Sequence, residues 1–208
     1  MNTILIQPTY LPSILQMAFI VQADKVIFEH HDNYQKQSYR NRIYIATANG
    51  KLTLNIPVKH NKSSNDHKKT AEALIENSFL WQRQHWRSIQ IAYRTSPFFE
   101  FYEDELEPLY TREYEKLLHF NETSINIILE ALQVEIERTN TLAYNENPEA
   151  LDLRFLADAK RKDKIEIPAY NQVFQEKQGF IPHLSIIDLL FNEGPNALNY
   201  LENLKLNF

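Results

Sequence analysis

Arg40 and Arg42 lie two residues apart, and Lys36 stands just upstream. On an extended strand, side chains two apart project from the same face. Such a pair of guanidiniums forms a fork suited to phosphate or carboxylate, because bidentate hydrogen bonds strengthen the contact. Lys59-His60 follows at the end of the next apolar run and adds to the basic character. The competing reading is a solvated strand face whose arginines pair with Glu29 or Asp32, a contact that contributes little at a surface. A second candidate is the loop "QPTYLP", residues 7–12. It contains no glycine, and each proline removes an N–H donor, so it is no phosphate cradle. It reads either as a stiff rim presenting Gln7 and Tyr10 to a substrate or as a rigid connection with Tyr10 packed in the core.

His85 is the candidate for moving a proton. Trp81, His85, Ile89 and Tyr93 recur every fourth residue and form one helical stripe. An imidazole there is either a neutral core histidine or a general acid or base with a pKa near neutrality. In "PHLSIIDLLFNEGP", residues 182–195, Ser185-x-x-Asp188 has the spacing of a capping box, with Asp in place of Glu. His183 and Asn192 stand at opposite ends of that short helix, where both can line a cleft. "EHHD", residues 29–32, holds metal-capable groups. Neighbouring strand residues face opposite ways, so His30 and His31 do not share an ion, and no metal site is expected. Glycine-rich nucleotide loops, His-Glu-x-x-His and a Gly-x-Ser-x-Gly elbow are all missing, and no motif names a cofactor.

The elements that position these residues follow from periodicity. Thr3 to Ile6 and Lys25 to Phe28 read as strands flanking a helix from Ser13 to Ala23, which makes a βαβ unit with a parallel pair. If the first strand is central, the 7–12 loop sits at the carboxyl end of the sheet, where such folds bind ligands. "RNRIYIATANGKLTLNIPV" predicts a hairpin turning at Asn49-Gly50. Residues 60–69 read as a polar loop. Helices are expected from an N-cap at Ser78 to just before Pro97, through residues 98–120 with a break at Pro108, and through 122–133. Gln133 to Arg138 is a candidate strand, and 139–183 reads as irregular with a charged run at 158–164. Two helices, Ser185–Asn192 and Ala197–Leu204, close the chain. The class is α/β: an N-terminal βαβ core with a β-hairpin and a largely helical C-terminal half. One domain is expected over 1–208, with an α/β part at 1–77 and a mainly helical part at 78–208.

Composition narrows the classes. The chain has 208 residues, no cysteine and a net charge of −5, so zinc–thiolate sites and cysteine nucleophiles are excluded and nucleic acid is not an expected partner. No basic-then-apolar leader opens the sequence and no apolar run nears the ~18 residues that span a bilayer. A cytoplasmic protein without membrane insertion is expected. Asn121-Glu-Thr123 matches a glycosylation pattern, read here as chance.

Several stretches resemble the WbqC-like family, bacterial proteins often encoded beside surface-polysaccharide genes. They are Gln7, Pro8, Tyr10, Leu11 and Pro12; Ala23-Asp24; "YQKQSYRNRIYI" with Lys36, Arg40, Asn41 and Arg42; "LTLNIPVKH"; and Trp81, His85, Tyr93 and Pro97. At the far end come Tyr170, Gln172, Phe180, Pro182, Leu184, Ser185, Asp188, Asn192 and Gly194. The resemblance implies a cytoplasmic enzyme modifying an activated sugar or similar phosphate- or carboxylate-bearing precursor in surface-polysaccharide biosynthesis, by acyl or aminoacyl transfer. It equally admits a non-catalytic binding or assembly protein of that pathway. The implied partner is a small anionic ligand such as a nucleotide sugar. Lys36, Arg40 and Arg42 would hold the anion, and Gln7 and Tyr10 would contact the polar body. Tyr170, Gln172, His183, Ser185 and Asn192 complete the binding set, with His85 or Asp188 moving a proton. Two departures stand out: Ser13 and Leu15 replace the family's usual Trp and Gly. In addition, Leu153 to Pro168 is short, charged and without the family's glycine. If that segment closes the family's site, this chain has a more open pocket, a different ligand or no catalysis.

Overall fold

The computed structural model describes residues 3–59, 68–161 and 165–206. Most of the expected 60–69 loop and part of the 158–164 charged run lie outside them. Strand β1 (Thr3–Ile6) is followed by α1 (Ile14–Gln22) and β2 (Lys25–Phe28), and the strands pair in parallel with Thr3 opposite Lys25 and Ile6 opposite Phe28. The α1 helix is apolar almost all round, and its residues from Ile14 to Ile20 are buried, as a helix enclosed between layers must be. Its cap is Ser13, whose side chain accepts from the Gln16 backbone N–H at 3.2 Å.

Strands β3 (Arg42–Thr47) and β4 (Gly50–Asn55) form a separate antiparallel hairpin. Its turn residues are Ala48 and Asn49, one earlier than the Asn49-Gly50 expected, because Gly50 pairs with Thr47 at the head of β4. Helices α2 (Trp81–Tyr93), α3 (Phe99–Leu106), α4 (Pro108–Thr111) and α5 (Leu117–Ala131) come next. The α2 helix starts three residues beyond Ser78, which instead donates its backbone N–H to Glu76. The remaining elements are β5 (Glu137–Asn140), β6 (Leu151–Asp152), α6 (Gln175–Gln178), α7 (Ile186–Glu193) and α8 (Asn196–Glu202).

Both β5 and β6 add in parallel, so the main sheet runs β5-β2-β1-β6 and β1 lies inside it. The chain is thus α/β, with several helices in its C-terminal half. Among the described residues no helix is long and apolar enough to cross a membrane.

The 7–12 loop is buried throughout, which explains its two prolines. A buried loop must pair its backbone polar groups, and proline has one fewer to pair. Six of the others are captured individually. Gln16 donates to Gln7 O, Asn121 to Pro8 O and Ser185 to Leu11 O, while Tyr10 N–H reaches Tyr39 O. Leu11 N–H reaches Ser124 Oγ, and Ile186 N–H reaches Pro12 O. Leu11 is held at φ +36°, a left-handed conformation that a leucine adopts only under such constraint.

Gly194 ends α7 at φ +52°, and a Cβ placed there would stand 2.5 Å from the Phe98 ring. The Phe98 backbone N–H is itself tied to Phe191 O, so the ring has little freedom to retreat. Gly194→Ala is expected to destabilise the fold by at least about 2 kcal/mol, from left-handed strain plus overpacking. Urea unfolding checks this; an unchanged midpoint would mean the neighbouring helices relax freely.

Candidate functional site

The carboxyl ends of β2, β5 and β6 converge on one cleft, and that of β1 reaches it through the bond from Gln7 to Asp32. Gln7 follows β1, Glu29 to Asp32 follow β2, Thr141 to Tyr144 follow β5, and Arg154 follows β6. The cleft measures about 320 Å³ and is lined by Asp32, Gln35, Arg40, Tyr144, Asp152, Arg154, Phe155 and Asp158. Sheets of this type bind ligands here because strand-to-helix loops collect at that edge. A larger hollow of about 610 Å³ borders Thr3, Ile27, Glu149, Ala150 and Leu151, but of those only Glu149 ionises.

Arg40 is the sequence-selected residue that lines this cleft. It precedes β3 rather than lying in it, and it is 2 % exposed. Its Nη2 donates to Asp32 Oδ2 at 2.8 Å, and the Gln7 amide donates to the same oxygen at 2.7 Å. Burial lowers the Arg40 pKa, while Asp32, Tyr34 and Asp158 oppose the shift. Arg42 goes elsewhere: its Nε donates to Asn55 on the hairpin. The two arginines therefore form no fork, because the chain between them leaves the cleft wall to enter β3. Lys36 is exposed nearby, in the segment between β2 and β3.

The partner of Arg40 across the cleft is Arg154, which sequence reasoning missed. Arg154 binds Asp152 through Nε at 2.9 Å and Nη2 at 2.6 Å, and Glu29 through Nη1 at 3.2 Å. Those bonds, led by Asp152, raise its pKa and keep it charged, and they lower that of Asp152. Glu29 is wholly buried and also accepts from Thr141 and the His31 N–H, so it anchors β2, β5 and β6 together. His30 turns away to Glu122 at 2.7 Å. Asn121 is the second residue missed. Fully buried on α5, it donates to both Pro8 O and Arg40 O, latching the opening loop to the cleft wall.

The other sequence candidates gather in two buried networks. Tyr10, 0 % exposed, bonds His85 Nδ1 at 3.1 Å and the Tyr110 hydroxyl at 2.8 Å. Burial pushes the His85 pKa down to about 4, only partly countered by a bond to the Asn55 backbone. Among aromatic neighbours the imidazole is neutral at pH 7, which places it with the core alternative rather than the proton-transfer one. Asp188 is 0 % exposed and accepts from Tyr93 and Tyr170, each at 2.6 Å, and from Gln172 at 3.2 Å. Burial raises its pKa, and the Tyr170, Tyr93 and Gln172 donors pull it back.

The capping-box expectation fails here. Ser185 is the N-cap residue of α7 but donates its hydroxyl to Leu11 O, and the Asp188 carboxylate turns inward. The reason is that α7 is buried on nearly every side, so its carboxylate has tyrosines, not solvent, to meet. Asn192 caps back onto Asp188 O, and half-buried His183 holds a left-handed backbone at φ +57° ahead of α7. Tyr10, His85, Tyr170, Gln172, Ser185, Asp188 and Asn192 thus support the scaffold behind the opening loop, while Gln7 and Arg40 meet Asp32 at the cleft.

An uncharacterized protein of Mycobacterium tuberculosis is 27% identical over 224 residues, covering 95% of this chain and 96% of that one. No solved structure matches. The WbqC-like protein family matches residues 7–166 and 160–200, a span that takes in the opening loop, the cleft arginines and the α7 motif. The chain belongs to the WbqC-like protein family.

Proposed function

We propose that the carboxyl-end cleft binds an activated sugar or a similar phosphate- or carboxylate-bearing precursor, and that the protein serves surface-polysaccharide biosynthesis in the cytoplasm as a transferase of an acyl or aminoacyl group. The observation that carries this reading is Arg40: a charged side chain, almost wholly buried, that lines the cleft with its Nε unpartnered among the described residues. A buried donor without a partner costs about 1–3 kcal/mol, and a ligand oxygen would recover it. Asp158, an exposed carboxylate on the cleft lining, is placed to take up a proton. The family's setting among polysaccharide genes supplies the substrate class.

A non-catalytic binding role is the second reading. It is favoured by the burial of His85 and Asp188, which removes both proton movers chosen from sequence from the cleft. A thermal-shift screen with nucleotide sugars, coenzyme A and nucleoside triphosphates tests both readings. A ligand at 100 times its Kd adds about 2.7 kcal/mol, and a protein of this size gains roughly 2–4 °C per kcal/mol. Arg40→Lys is expected to remove the shift. With the responding ligand, Asp158→Asn should slow turnover about 100-fold or more and leave binding intact. Binding without turnover selects the second reading, and no shift from any probe refutes both.

A further inference from the structure

The hydrogen-bonding surface of the cleft indicates which part of a precursor enters it, an inference that rests on the reading just given. Arg154 already commits Nε and Nη2 to Asp152 and Nη1 to Glu29. Arg40 commits Nη2 to Asp32, reaches Ser38 Oγ at 3.5 Å through Nη1, and leaves only Nε unpaired. A phosphate, with three strong acceptor oxygens, would find one guanidinium nitrogen of the lining wholly without a partner, the others already drawn toward carboxylates or Ser38. The cleft also carries three aspartates, Asp32, Asp152 and Asp158, against two arginines, so it does not favour a dianion.

The unpaired atoms point to a different group. Gln7 and Arg40 meet at one oxygen, Asp32 Oδ2, and beside it Gln7 Oε1 is an acceptor without a donor while Arg40 Nε is a donor without an acceptor. Both side chains are at least nine-tenths buried. A phosphate oxygen at neutral pH only accepts, and would leave Gln7 Oε1 orphaned. A hydroxyl donates and accepts, the two functions these atoms lack.

The walls add an apolar component. Tyr144 and Phe155 are 45 % and 38 % exposed, and each carries a guanidinium over its ring, Arg154 at 4.7 Å and Arg161 at 4.0 Å. A ring held by a cation on one face is steadied for a ligand on the other.

We propose that the cleft seats a neutral, hydroxyl-bearing ring, the glycosyl unit of the precursor, against Tyr144 and Phe155, and that the phosphate-bearing part stays at the mouth. Calorimetric titration with UDP-glucose, UDP-N-acetylglucosamine and dTDP-glucose, with UDP and dTDP, and with inorganic phosphate tests this. At least one nucleotide sugar should bind tenfold or more tightly than its nucleoside diphosphate, with no measurable phosphate binding. Tyr144→Ala and Phe155→Ala change exposed side chains and leave the fold intact. Each should weaken that nucleotide sugar at least fivefold without altering the affinity for the diphosphate. Diphosphate binding equal to that of the nucleotide sugar, or both variants binding normally, overturns the glycosyl assignment and leaves the precursor-binding reading standing. Silence from every probe overturns both.

Discussion

Asp188→Ala lowers the stability of the protein by about 3–5 kcal/mol, the largest loss expected from any single truncation outside the apolar core. The carboxylate accepts from Tyr93, Tyr170 and Gln172, so its removal leaves three buried donors facing a cavity. Tyr93 also accepts the Ala46 N–H of β3, and Gln172 exchanges hydrogen bonds with Ile181. The network thus ties α2, the hairpin, the 170–181 segment and α7 together. For a chain of this length the midpoint of thermal unfolding should fall by roughly 10 °C. Asp188→Asn keeps one oxygen and the shape, and tyrosine hydroxyls can reverse to accept from the amide, so its cost should be less than half as large.

The same pair of variants carries a pH signature. Because burial raises the Asp188 pKa above its ordinary 3.8, the folded state holds that proton more tightly than the unfolded chain. The contribution of this group to stability is therefore greatest below about 3.8 and declines as pH rises through the folded value. Asp188→Asn removes that decline, so its deficit relative to the unaltered protein should shrink as pH climbs. A deficit that grows instead would show that the tyrosine donors outweigh burial.

His85 produces the second large effect, with the opposite slope. Its pKa falls from 6.5 unfolded to about 4 folded. The unfolded chain binds the proton first, so the stability this residue contributes is complete above pH 6.5 and is lost as pH falls towards 4. A shift of that size corresponds to roughly 3 kcal/mol. His85→Gln, which retains a hydrogen-bonding group for Tyr10, should flatten acid unfolding between pH 6.5 and 4. Titration of the imidazole by NMR gives an independent reading. A midpoint near 6.5 would return His85 to the list of groups able to exchange protons at neutral pH; a midpoint near 4 confines it to the scaffold.

Where sequence was informative, a physical regularity ran long enough to be read. The β1–α1–β2 unit shows a β-rich run, a capped apolar helix and a second β-rich run within thirty residues, and that local order implies a parallel pair. Alternating residues announced the β3–β4 hairpin, although the turn slipped by one because Gly50 joins the ladder. β6 defeated the same approach: two residues cannot display a period of two. With β6 hidden, residues 139–183 read as irregular and Arg154, placed by that strand, went unnoticed. Its signal was the Asp152-x-Arg154 pair at the end of an apolar step, legible only once the sheet is known to continue there. Asn121 was missed for a similar reason, since local pattern says nothing of a latch to loops some eighty and a hundred residues away.

The amino-acid sequence by itself determined the class of the fold, the stiffness of the 7–12 loop and the family, because each is written in short-range pattern or composition. Which polar residues face a ligand was decided by the tertiary structure. Two residues apart, Arg40 turns to Asp32 at the cleft and Arg42 to Asn55 on the hairpin, and Asp188 meets tyrosines from distant segments. Spacing along a chain constrains direction only within one regular element. Once the backbone leaves it, burial and the partners supplied by other elements decide where a charge points.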